Sequence, residues 1–354
     1  MADQIKKNGT NVKRAVLIVV GTSLGLFFLY LAFRDISWQD FIHGVRQMKP
    51  LYFLPAGVLI AAVQLLRAIR FGVIIKPFCP LPLKDLWDIL NLWGAASMIL
   101  PARLSEFVRP YLLQRRGASF TSGLAAIMVE RFFDLLGLLL LLALVLWKTP
   151  EVPRFYTVLG EVLLLVLVVG YILLLMVLAW REKVQAIVDK VLSLLPARIG
   201  GFLGGIFRRL LDGFGIMASF KQAFVIFAFS IAIWTLFSVL TYVFLLAFSI
   251  EAPFLVAITI QIFISFGIAL PSAPGFVGTF HAACRYALAL FGIQAVVAVS
   301  FGTVYHLFSV AMGTTLGLIS YLTSDFRFDH SILSGGVKAE EPDPARGASR
   351  DPMG

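Results

Sequence analysis

QAFVIFAFSIAIWTLFSVLTYVFLLAFSI (residues 222–250) and APFLVAITIQIFISFGIALPSAPGFVGTFHAAC (residues 252–284) are parted by a single charged residue, Glu251. A helix needs roughly 20 consecutive apolar residues to cross a hydrocarbon core about 30 Å thick, so the first run, 29 residues long, predicts a complete span. The second run is longer, at 33 residues, but Pro271, Pro274, Gly275 and Gly278 interrupt it. Proline removes a backbone donor and glycine admits dihedrals closed to other residues, so a straight helix stops there. Outward from this pair, further uncharged gaps of 19 residues cover 15–33 and 162–180. The whole chain of 354 residues is 59% hydrophobic and 14% charged, against about 25% charged in soluble domains. Its mean hydropathy is +0.90. These values exclude an ordinary soluble protein and predict an all-α, polytopic membrane protein.

Full spans are expected near 15–33, 51–71, 122–147, 156–180, 222–249 and 295–322, six in all. Two apolar stretches are broken: 86–113, with Pro101 and Pro110 around a charged cluster, and 254–291. Either alone reads equally as a proline-kinked span, since proline is common in membrane helices. Irregular backbone at membrane depth is tolerated only where protein buries it or a wet cavity receives it. Two such segments in opposite halves predict paired re-entrant hairpins, which is how transporter sites are built.

Of the 30 Lys and Arg, 23 fall on stretches 1–14, 67–121, 181–221 and the tail, and six on the opposite set of loops. The positive-inside rule then places the N-terminus in the cytoplasm. Residues 1–14 form a cytoplasmic segment, 15–322 the membrane domain, and 323–354 a disordered tail rich in Gly, Pro and charge. The first apolar run follows Lys6, Lys7, Lys13 and Arg14 as a signal peptide would. Its Phe27, Phe28 and Tyr30, with no small-residue cleavage site, read as a retained span. Residues 181–221 alternate basic and apolar groups and predict an amphipathic segment on the inner leaflet, weakened by Gly200, Gly201, Gly204 and Gly205. The net charge of +10 sits at the ends of apolar segments, which suits a membrane surface better than nucleic acid. Cys79 and Cys284 make neither a disulfide framework nor a metal pattern.

Ionisable groups at membrane depth cost about 2.5–3.5 kcal/mol each on insertion scales and call for partners. Arg103, Glu106 and Arg109 can share one helix face, with surplus positive charge and the planar forks that suit phosphate. Glu130, Arg131 and Asp134 lie between two uncharged 13-residue runs, the two acids at i and i+4. No His or third acid adjoins them, so pairing with Arg103 or Arg109 is expected rather than a metal site. Both clusters read alternatively as purely structural. The third group is the Pro271–Gly278 loop, followed by His281 and Arg285 at i and i+4. Free N–H groups at the start of the following half-helix could meet an anion there. His281 and His306 read alternatively as satisfied core histidines.

At these residues the chain resembles the flippase-like membrane domain of lysylphosphatidylglycerol synthases, which also occurs as stand-alone bacterial and archaeal proteins. The stretch 100–112 is similar to the family's Pro-x-Arg-x-Gly-Glu followed by Arg-Pro, with Ser105 where Gly is usual. Residues 130–134 resemble Glu-Arg-x-x-Asp, and 271–281 resemble Pro-x-x-Pro-Gly-x-x-Gly-x-x-Glu with His281 in the final acidic position. The resemblance implies movement of an anionic phospholipid or polyprenyl-linked lipid across the cytoplasmic membrane, with site residues Arg103, Glu106, Arg109, Glu130, Arg131, Asp134, Pro271, Pro274, Gly275, Gly278, His281 and Arg285. It does not imply aminoacyl transfer, which belongs to a separate soluble domain; the longest polar stretch here, 41 residues, is too short for one. No cofactor or metal is expected, and no enzyme activity. The partner expected is a lipid with an anionic headgroup. The competing reading is a membrane subunit of, or enzyme in, lipid modification, with a lipid-modifying enzyme as partner.

Overall fold

The structure, a computed structural model, describes residues 22–100, 104–148, 154–215, 219–269 and 273–326. The expected N-terminal segment 1–14, nearly all of the expected tail, Arg103 and Pro271 lie outside the described residues. Among the described residues every regular element is helical: α1 (Thr22–Phe33), α2 (Trp38–Arg46), α3 (Phe53–Ile75), α4 (Leu83–Ile99), α5 (Val108–Gln114), α6 (Phe120–Lys148), α7 (Arg154–Ala179), α8 (Arg181–Leu192), α9 (Ala197–Phe214), α10 (Phe220–Ala247), α11 (Phe254–Ala269), α12 (Thr279–Ala289) and α13 (Ala295–Thr323). Three helical stretches, Pro50–Ile75, Phe220–Ala247 and Ala295–Thr323, are long and apolar enough to cross a membrane. α6 and α7, with 29 and 26 residues, match them in length.

α3 corrects the expected span 51–71. It continues to Ile75 because Phe71, Ile74 and Ile75 are packed at 0–1% exposure in the core. Arg67 and Arg70, inside the expected span though counted with the next loop for orientation, are residues of the helix. The amphipathic stretch 181–221 forms helices, as its spacing predicts. It folds back as α8 and α9, which remains helical through all four glycines. At Gly200 a Cβ would stand 2.5 Å from the Leu192 carbonyl, so glycine lets the two helices touch.

Both broken segments return to the side from which they start. The ring of Phe248, just after α10, lies 5.9 Å from that of Phe301 in the second turn of α13. Phe244 stacks on Tyr305 at 4.4 Å, so α10 and α13 run antiparallel with their facing ends together. The intervening α11 and α12 pack on each other as a hairpin. At about 1.5 Å per residue the 16 residues of α11 reach roughly 24 Å, short of a crossing. In the other half, Cys79 Sγ, beyond α3, donates to the Arg116 carbonyl beyond α5 at 3.3 Å. Arg116 also pairs with Asp85 at the start of α4 (3.1 Å), which closes the base of a first hairpin made of α4 and α5.

The two hairpins enter from opposite faces. The Lys49 amide, just before α3, donates to the Ala247 carbonyl at the end of α10 (2.8 Å). α3 thus begins where the second hairpin is rooted and ends where the first is rooted. α13 joins the same two faces, since Lys84 Nζ at the start of α4 reaches the Thr323 carbonyl at 3.2 Å. The tips meet between the faces: a Cβ on Gly275 would lie 3.5 Å from the Met98 carbonyl near the end of α4. His306 Nε2 of α13 donates to the Gly275 carbonyl at 2.7 Å. α1 closes the second tip from outside, and a Cβ on Gly278 would stand 1.9 Å from the Gly25 carbonyl.

Two outcomes follow from this topology. With Cys79 and Cys284 replaced by alanine, single cysteines at the exposed positions Glu251 and Gln294 should react with an impermeant maleimide from one side of the membrane, and those at Lys76 and Gln114 from the other; a split within either pair would mean a full crossing. Gly278→Ala should lower the thermal unfolding temperature well beyond Gly292→Ala. Both glycines have positive φ, +89° and +71°, but nothing lies within 4 Å of a Cβ at Gly292. The reference variant therefore carries backbone strain of about 1–2 kcal/mol alone.

Candidate functional site

Seven ionisable side chains converge beside the first hairpin. α3 contributes Arg67 and Arg70, the Leu104–Phe107 turn contributes Glu106, α5 contributes Arg109, and α6 contributes Glu130, Arg131 and Asp134. Six of them form a closed ring of alternating charge. Arg70 meets Glu130 (3.3 Å), Glu130 meets Arg109 (2.9 Å), and Arg109 meets Glu106 (3.0 Å). Glu106 meets Arg131 (2.7 Å), Arg131 approaches Asp134 (4.0 Å), and Asp134 returns to Arg70. Three guanidiniums face three carboxylates, so the ring is neutral.

Helix periodicity explains the α6 contribution, because residues 130 and 134 stand one turn apart on one face. That face meets α3, where Arg70 also donates to Ser230 Oγ of α10 at 2.7 Å. Burial is steepest on one side of the ring: Arg109 is 0% exposed, and Arg70 and Glu130 are 1% exposed. Glu106 at 26% and Arg131 at 44% form its open side. Counting from the start of α6, Glu130 lies about 15 Å along the helix, well inside a membrane-spanning segment. Charges at that depth persist only when paired.

Trp93 of α4 underlies the cluster. Its ring carries the guanidinium carbons of Arg109 at 4.3 Å, Arg67 at 4.8 Å and Arg131 at 5.9 Å. Cation–π attraction strengthens when the cation is desolvated, to about 2 kcal/mol. Arg67 is the seventh member and stands outside the ring. Among the described residues it has no carboxylate at salt-bridge distance; its Nη1 donates to Gln64 Oε1 at 3.0 Å.

Of the residues expected to gather, Glu106, Arg109, Glu130, Arg131 and Asp134 do so. Arg109, expected to pair with these acids and to hold a phosphate, donates Nη1 to Glu130 and Nη2 to Glu106, while its buried Nε has no hydrogen-bond partner. The remaining candidates form a separate group at the second tip. Pro274 and Gly275 lie in the Pro274–Phe276 turn, and Gly278 precedes α12. His281 is 5% exposed, its Nδ1 accepts from the Gly278 amide (3.4 Å), and its ring lies 5.0 Å from that of His306. Arg285 turns away from His281 and caps α1, donating to the carbonyls of Leu31 (2.6 Å) and Ala32 (2.7 Å) and to Asp35 (2.7 Å). The Arg285 guanidinium holds the Asp35 carboxyl below the usual carboxylate range. The described part of the tip is packed: its contacts include Gly25, Met98, His281 and His306.

Sequence reasoning missed Arg67, Arg70 and Trp93. The signal was present, because Arg67 and Arg70 at i and i+3 are followed by Phe71, Val73, Ile74 and Ile75, a continuation of the apolar run. Counting them as loop residues for orientation concealed it.

Opposed hairpins around a buried, compensated charge ring define a polytopic helical membrane protein with an internal polar site. Residues 16–317 match the family described as Lysylphosphatidylglycerol synthase TM region, and the chain belongs to that family. A UPF0104 membrane protein of Methanothermobacter thermautotrophicus is 26% identical over 272 residues, covering 73% of this chain and 78% of that relative. The glycosyltransferase AglD of Haloferax volcanii is 29% identical over 130 residues, 35% of this chain and 20% of its own length. No solved structure gives a significant match.

Glu130→Leu leaves Arg70 and Arg109 short of a shared carboxylate. It should destabilise the purified protein by about 3–5 kcal/mol, read as thermal unfolding in detergent. Arg181→Ala removes an exposed pair with Asp212, 45% and 47% accessible, and should cost no more than about 1 kcal/mol.

Proposed function

We propose that this protein moves an anionic phospholipid or polyprenyl-linked lipid from one membrane leaflet to the other, and is itself no enzyme. The observation that carries the reading is the meeting of two oppositely rooted hairpins beside a neutral charge ring. A lipid headgroup is charged and its tails are apolar, so translocation needs a polar passage for one and open lipid for the other. Each hairpin is anchored at one face only, so displacement of either would open the site toward its own face. The ring supplies partners to a headgroup without leaving a net charge buried when the passage is closed. Glu106 and Arg131, its exposed members, are where a headgroup would first arrive.

A second reading follows from the partial likeness to a glycosyltransferase. Here the chain would present a lipid carrier to a lipid-modifying enzyme. Reconstitution of the purified protein in liposomes separates the two readings. Fluorescent phosphatidylglycerol in the inner leaflet should become accessible to dithionite, with the lipid chemically unchanged on chromatography. Glu106→Gln opens the ring at its accessible side and should slow transfer on the order of tenfold, about 1.4 kcal/mol. Chemical conversion of the lipid by the protein alone would remove the transport reading, as would dithionite protection equal to that of empty liposomes.

A further inference from the structure

The charge ring is complete without Arg67. Around this residue the hydrogen-bonding groups are arranged as donors in series: Arg67 Nη1 gives to Gln64 Oε1 (3.0 Å), and Gln64 Nε2 gives to Asn91 Oδ1 (3.0 Å). The series ends at Asn91 Nδ2, which is buried and has no acceptor; Asn91 is 1% exposed. Trp93 Nε1, on the ring that Arg67 overlies, is likewise a buried donor without a partner. An unsatisfied buried donor costs about 1–3 kcal/mol, so two of them beside a guanidinium with no carboxylate at salt-bridge distance mark a place short of acceptors. Next to Trp93, a Cβ on Gly94 would meet only the Gln64 amide nitrogen, at 4.0 Å. Within the same electrostatic field Glu130 and Asp134 already serve the ring arginines.

We infer that Arg67, with Gln64, Asn91 and Trp93, is a binding site for a phosphate-type oxyanion, and that this residue, rather than Arg109, takes the charge of the ligand. The inference rests on the transport reading for its biological ligand, a lipid headgroup phosphate, though free phosphate offers the same chemistry. A guanidinium with two unpartnered neutral donors suits an oxyanion that accepts from several directions, as the tetrahedral oxygens of a phosphate do. The ring then lines the approach to Arg67, and the charge of the bound ligand is balanced at Arg67.

Binding is measured on the purified full chain by calorimetry, without transport. The probes are dihexanoyl phosphatidylglycerol, inorganic phosphate, and dihexanoylglycerol as the phosphate-free reference. Wild type should bind the phospholipid and not the reference. Arg67→Gln should weaken binding at least tenfold, Arg67→Lys should restore part of it, and Arg208→Gln on exposed α9 should leave it unchanged. Binding of inorganic phosphate with the same dependence on Arg67, in the absence of phospholipid binding, would support the oxyanion site and assign it to the free anion. Should Arg67→Gln fail to fold, Asn91→Asp supplies an internal negative charge at the end of the series; it should abolish binding while thermal stability holds or rises. Undiminished binding in Arg67→Gln, undiminished binding in a folded Asn91→Asp, equal binding of the phosphate-free reference, or no binding of either phosphate probe would each overturn the assignment. Binding that depends on Arg67 without lipid transfer in liposomes would leave the site standing and remove the transport reading.

Discussion

Glu130 sits between two arginines at a depth where water cannot reach it, and much of the molecule is arranged around that carboxylate. A lone charge there would be neutralised or expelled. Arg70 from α3 and Arg109 from α5 hold it at 3.3 and 2.9 Å, and each is in turn held by another acid. The closure of the ring matters more than any one pair. An open chain of ions would end in a group with half its partners missing, whereas a closed alternation leaves none. This requirement brings α3, α5 and α6 together at one point and fixes the rotation of each about its own axis.

The hairpins face a second constraint, the satisfaction of irregular backbone. A chain that turns inside a membrane exposes N–H and C=O groups that lipid cannot bond. At the second tip the protein supplies the partners itself: His306 donates to the Gly275 carbonyl, and His281 accepts the Gly278 amide. The close approach of α1 at Gly25 seals the turn, and it is possible because residue 278 has no side chain. Arg285 completes the arrangement from the other end by bonding the last carbonyls of α1. The second tip thus has the character of a packed joint, while the polar site lies beside the first hairpin.

The arginine with the strongest sequence signal is the one most fully engaged by acids. Arg109 lies in a motif with Glu106, and both are members of the ring. Arg67 belongs to no motif and has no described carboxylate at salt-bridge distance; its Nη1 donates to Gln64. In a low-dielectric site, what a residue can bind depends on what its neighbours have already taken.

Hydropathy and charge spacing alone determined the class of protein, the positions of its long helices and the two places where a helix must break. These are local properties: apolar length against membrane thickness, and the backbone limits of proline and glycine. The i, i+4 spacing of Glu130 and Asp134 likewise showed that two acids share a face. Only the tertiary structure decided which cations meet them, because partners 21 to 64 positions apart in sequence come together through helix packing. Arg70, near the end of the expected span, became the partner of both acids because α3 packs against α6 and runs on to Ile75. The fate of His281 and Arg285 was decided in the same way. Spacing puts both on one side of α12, yet the neighbouring α13 and α1 give them different bonds, since a side chain's partners depend on what packs against it.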